Sequence, residues 1–114
     1  MTDVPPERFA ELVAEALDGI PPELGELMDN VVVTVDDWSP PRGLLGFYEG
    51  VPLTARGQYG GMVMPDRITI FRRAICAMCV TEAQVVEQVR ITVVHEVAHH
   101  FGIDDDRLRE LGWG

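Results

Sequence analysis

The chain has 114 residues, 46% of them apolar, with 11 Gly, 8 Pro and 2 Cys. That is enough for one globular domain over residues 1–114, with no room for a second and no need of a disulfide framework. Nine basic against nineteen acidic residues give a formal net charge of −10, which repels phosphate backbones and anionic lipid and argues against nucleic acid as a partner.

The start, Met1-Thr2-Asp3-Val4-Pro5-Pro6-Glu7, is acidic and proline-bearing rather than basic and then apolar, so a cytoplasmic protein is expected. The longest apolar run, Ala74 to Val80, is far short of the ~20 residues that span a bilayer, and no membrane association is expected. Charge is uneven: residues 1–37 carry ten carboxylates and one Arg, while the remainder is nearly balanced.

From Pro5 onward Phe9, Leu12, Val13, Ala16, Leu17 and Ile20 recur at three- and four-residue steps, with Glu7, Glu11, Glu15 and Asp18 on other faces. This predicts an amphipathic helix ending near Gly19. Pro21-Pro22 restarts the chain, and Glu23 to Met28 suits a short second helix. Val31-Val32-Val33-Thr34-Val35 is β-branched throughout and reads as a buried strand, broken by Trp38-Ser39-Pro40-Pro41. Leu44 to Tyr48 and Arg67 to Phe71 read as two more strands, and Gly57, Gly60 and Gly61 mark a mobile connection between them.

Between Thr81 and Phe101 propensity and context disagree. Val85, Val86, Val89, Ile91, Thr92, Val93, Val94 and Val97 favour a strand, yet the stretch has no Gly or Pro and opens on Thr81-Glu82-Ala83-Gln84, a capping box. Gly102 stands where a helix C-terminus wants glycine. A buried helix over about 81–101 is therefore predicted. Asp104-Asp105-Asp106 then starts a last short helix through Leu111.

The chemistry concentrates in that long helix. Ser39 is the only serine, and the only histidines are His95, His99 and His100. His95-Glu96-Val97-Ala98-His99 is an H-E-x-x-H pattern. In a helix a four-residue step overshoots one turn by about 40°, so both imidazoles project from one face and can share an ion. Zinc takes such nitrogens at roughly 2.0–2.1 Å and in catalytic sites leaves a fourth position to water. Glu96, about 100° around the helix from His95, lies beside that water as a proton acceptor. A third ligand is required. Gly102 can turn the chain back toward the metal, which brings forward Asp105, with Asp104 and Asp106 as rivals. Asp105 also suits an ordinary helix cap. His100, about 100° off the His99 face, is expected to pack or to support the ligands from behind rather than to bind metal.

The extended pattern, H-E-x-x-H-x-x-G-x-x-D, resembles that of the matrix-metalloprotease-like zincins, with aspartate where those enzymes usually have histidine. More narrowly, the chain resembles a small bacterial family of single-domain zincin-like metallopeptidases. The matching stretches are Leu44 to Thr54, Pro65 to Phe71 and His95 to Leu111. The resemblance implies a compact, minimal α+β zincin-like fold; with the elements read above, a small, mostly antiparallel sheet is expected to pack on the active-site helix, with the N-terminal amphipathic helix beside it. It implies His95, His99 and Asp105 as ligands of Zn2+ and Glu96 as catalytic base. No methionine follows Met78, so the methionine turn of metzincins has no counterpart.

The expected function is a zinc-dependent peptidase acting on peptides or unfolded protein, with the substrate added to a sheet edge such as Arg67–Phe71. The alternative is a catalytically weak or inactive metal-binding protein whose groove holds a peptide or protein partner. Cys76-Ala77-Met78-Cys79 has C-x-x-C spacing, but one pair cannot complete a structural zinc site, and two small apolar residues or an incidental disulfide are expected.

Overall fold

The computed structural model describes residues 2–39, 41, 43–51 and 64–113. The connection marked by Gly57, Gly60 and Gly61 lies outside the described residues. The elements run α1 (Pro6–Asp18), α2 (Pro22–Leu27), β1 (Val31–Asp36), β2 (Gly46–Glu49), β3 (Asp66–Phe71), α3 (Arg72–Ala77), α4 (Glu82–His100) and α5 (Asp105–Leu111). The class is α+β, with helices layered on a three-stranded sheet. No described helix is long and apolar enough to cross a membrane.

α1 buries Phe9, Leu12, Val13 and Ala16, the stripe anticipated from its periodicity. It packs on α4, and Arg8 crosses to Glu82 with a hydrogen bond of 2.9 Å. That exposed pair adds little to stability next to the apolar contact. α2 contributes Leu24, which is fully buried.

The sheet order is β1-β3-β2. β3 pairs parallel with β1, from Val31 opposite Asp66 to Asp36 opposite Phe71, and antiparallel with β2, from Gly46 opposite Ile70 to Glu49 opposite Arg67. The sheet is thus mixed, not mostly antiparallel. Short strands between turn signals suggest hairpins, but a parallel pair needs only a crossover, and the stretch from β1 to β3, which contains β2, supplies it. Two readings of individual strands change with this order. β1 is a half-buried edge strand rather than a buried one: Val31, Val33 and Val35 meet the core while Val32 is 42% exposed. β3 is central and flanked on both sides, so Arg67–Phe71 is not an edge to which a peptide can add. Its Ile68 and Ile70 are fully buried.

α3 leaves β3 without a break and was not foreseen, because the Ala74–Val80 run shows no period of its own. Its Arg72 is buried and tied to Asp37 Oδ1 at 2.9 Å and to the Val4 carbonyl at 2.7 Å. Cys76 and Cys79 are buried free thiols whose pKa values burial pushes up, the state of small core residues rather than reactive ones.

α4 is the axis of the fold, in contact with α1, α2, α3, β2 and β3. The capping box is formed: the Gln84 N–H donates to Thr81 Oγ1 at 3.2 Å, and the Thr81 N–H donates to Gln84 Oε1 at 3.4 Å. Val85, Val89, Val93 and Val97 lie at four-residue steps and are all fully buried. Valine loses at most about 0.7 kcal/mol to alanine in helix propensity. Full burial of each side chain returns roughly 1.5–3 kcal/mol. Burial wins, and a strand-like composition forms a helix.

Candidate metal centre

Because α4 turns its valine row to the core, His95, Glu96 and His99 come to the side that faces β2 and solvent. His95 and Glu96 are half-buried and His99 is exposed. The two ligand-spaced rings lie with centroids 5.7 Å apart, tilted by 47°.

The turn after α4 delivers the third group. Gly102 has φ +80, its N–H donates to the His99 carbonyl at 3.1 Å, and the Ile103 N–H donates to the Ala98 carbonyl at 2.8 Å. This pair of bonds is a Schellman motif, which needs a left-handed residue at that position and so favours glycine. Ile103 anchors the reversed chain against the core. α5 follows at once, and the three adjacent aspartates separate in role. Asp104 is the N-cap, its Oδ1 accepting the Arg107 N–H at 2.9 Å. Asp106 pairs with Arg109 one turn on. Asp105 turns back to the histidines, with Oδ1 at 3.0 Å from His99 Nε2 and 3.9 Å from His95 Nδ1.

His95, His99 and Asp105 therefore converge, with one ligand atom from each within 4.8 Å of the others. Tetrahedral zinc with bonds near 2.0–2.1 Å holds neighbouring ligand atoms roughly 3.3 Å apart. The observed separations bracket that value, and two imidazoles with one carboxylate are a donor set that zinc accepts, so the residues present fit the ion. The hydrogen bond from His99 holds the Asp105 carboxyl below its usual range. Burial pushes the Glu96 carboxyl up, opposed by the nearby His99 and His95.

A groove of about 310 Å³ opens at this point. Gly43, Leu44, Leu45 and Gly46 form one wall, Gln88, Ile91 and Thr92 the other, and His95, Glu96 and His99 line one end. Gly46 sets the spacing of the walls. A Cβ there would stand 2.6 Å from Thr92 Cγ2 and 3.2 Å from the Thr69 carbonyl oxygen, so only glycine lets β2 lie this close to α4. This wall was missed in the sequence, where a glycine inside the apolar stretch Leu44 to Tyr48 is its one visible trace. Tyr48 and Asp66, which meet His100 at the end of α4, were missed as well.

The model of the family described as Zincin-like metallopeptidase matches residues 28–113. Among solved structures, a conserved hypothetical protein from Thermus thermophilus superposes with a TM-score of 0.54 at 20% identity, over 83% of this chain and 92% of that one. At that identity it attests the fold alone. No curated protein matches the chain. The family match spans the sheet, α4 and the turn to α5, the elements that build the site, and the chain belongs to the zincin-like metallopeptidases.

Proposed function

We propose that the protein is a zinc-dependent peptidase in which His95, His99 and Asp105 hold one Zn2+ and Glu96 moves the protons of peptide hydrolysis. The observation that carries this reading is the convergence of two imidazoles and a carboxylate within 4.8 Å, at a groove that Glu96 also lines. When bound, zinc supplies a Lewis acid that acidifies water toward a pKa of ~7 and polarises the scissile carbonyl.

The remaining work belongs to side chains of the protein. His95 and His99, one helical step apart on a rigid helix, fix two ligand positions, and Asp105 adds a negative charge that offsets part of the cation's. Glu96 stands about 100° around the helix from His95 and about 60° from His99, beside the ligand set and outside it. From there it accepts the proton of the attacking water and passes it to the leaving amine. The substrate is a peptide or a stretch of unfolded protein lying between Leu44–Gly46 and α4, where Leu44, Leu45 and Ile91 offer apolar contact. The edge strand beside the site is β2, which takes the place first expected for Arg67–Phe71.

Zinc analysis and a peptide library test this reading together. Purified protein is expected to bind about one zinc per chain. Glu96→Gln is expected to keep the zinc and the fold while losing cleavage of every peptide that the wild type cuts. Equal cleavage by the two proteins would remove Glu96 from the mechanism. Zinc binding with no peptide cut by the wild type would favour a metal-binding protein that uses the groove to hold a partner.

A further inference from the structure

A cluster of polar and aromatic groups stands at the end of α4, beside the ligand set and outside it. His100 stacks on Tyr48 of β2, with ring centroids 3.9 Å apart and planes 20° from parallel. The Tyr48 hydroxyl donates to Asp66 Oδ2 at 2.7 Å, and Asp66 Oδ1 accepts the Val51 N–H at 2.8 Å. His100 Nε2 lies 3.9 Å from Asp66 Oδ2, and the Asp66 side chain is only 11% exposed. The backbone closes in as well, since a Cβ on Gly50 would stand 3.1 Å from His100 Cε1. The last residue of α4 is thus held by the end of β2 and the start of β3.

This matters because of what precedes it in the chain. The final turn of a helix frays unless something holds it; here the Gly102 Schellman bonds hold its backbone from beyond the helix, and the His100 stack holds it from the side of the sheet. In α4 that turn carries His99, whose own side chain is 48% exposed. His100 projects about 100° around the helix from His99, so the stack grips the turn from another side and leaves the ligand nitrogen clear.

The geometry points to His100 as a positioning residue for the metal centre: its stack on Tyr48, which Asp66 holds in place, fixes the last turn of α4 against the sheet, so that His99 faces Asp105. The inference rests on the metal role proposed above for His99 and Asp105. His100 acts through the backbone, and a ring in its place suffices.

The test compares wild type, His100→Ala and His100→Phe by zinc affinity in competition with a chelator. The absorption spectrum of the cobalt-substituted protein and the melting temperature without metal complete it. His100→Ala is expected to lose about tenfold in zinc affinity, of the order seen when groups that orient a ligand are removed, and to alter the cobalt spectrum. His100→Phe is expected to restore both. If His100→Ala lowers only the melting temperature, with wild-type zinc affinity and cobalt spectrum, the residue is structural and the inference is overturned. Should His100→Ala not fold, Tyr48→Leu removes the stack from the other side and is expected to show the same loss. Failure of the wild type itself to bind zinc or cobalt would instead overturn the metal reading, and the inference with it.

Discussion

The proposed ligands come from two regions built on opposite principles. His95 and His99 stand on α4, whose other side is a row of fully buried valines, Val85, Val89, Val93 and Val97. Asp105 stands in an exposed turn held by a glycine with φ +80, a cap at Asp104 and surface ion pairs. In the first region the backbone is fixed by burial, and the ligands inherit its position. In the second it is fixed by hydrogen bonds at the surface between two apolar anchors, Ile103 and Leu108. The difference separates two effects: substitutions under α4 are expected to act on folding alone, whereas zinc affinity is expected to answer to Asp105 and to the Gly102 turn that aims it.

Val93→Ala breaks the comparison hardest on the stability side. Removing its buried methyl groups is expected to cost roughly 1.5–3 kcal/mol in chemical denaturation, while the folded protein keeps its zinc affinity. A loss of affinity as large as that of a ligand variant would show that the helix is not a rigid platform. Gly102→Ala comes next. Its left-handed φ costs a side chain about 1–2 kcal/mol, and relief of that strain would swing the start of α5. Here stability and zinc affinity are expected to fall together, in contrast to Val93→Ala. Asp106→Ala is the smallest change. Its ion pair with Arg109 is exposed, and denaturation is expected to shift by no more than about 1 kcal/mol with zinc affinity unchanged.

The same division decides what the sequence made legible. α4 was readable because its determinants are local: a capping box at Thr81–Gln84, a glycine at 102 and no interruption between them. Its composition alone points to a strand; the local signals overrule that in the sequence, and burial against several elements supplies the stability that holds the helix. The spacing of His95 and His99 was readable for the same reason, since a helical period places them without knowledge of anything else. The sheet was readable as three strands but not in its order. The pairing of Val31 with Asp66 joins residues far apart in the chain, and neither strand carries a mark of its partner. That is also why β2 is not legible as the wall beside the site, and why the sequence gives His100 a packing or ligand-supporting role without naming its partner. Among the aspartates, all three suit a cap. The backbone bond from Arg107 selects Asp104 for that role and leaves Asp105 turned toward the histidines.

That assignment offers the most direct test, because Asp104 and Asp105 are neighbours with equal charge, and both are exposed. Their zinc affinities as alanine variants are measured by competition with a chelator, beside the wild type. Asp104→Ala is expected to cost about 0.5–2 kcal/mol of stability as a lost cap, with a small change in zinc affinity. Asp105→Ala is expected to leave the fold nearly as stable and to weaken zinc binding far more, since it removes both a coordinate bond and a negative charge beside the cation. Unchanged affinity in Asp105→Ala, or a larger loss in Asp104→Ala, would contradict the account.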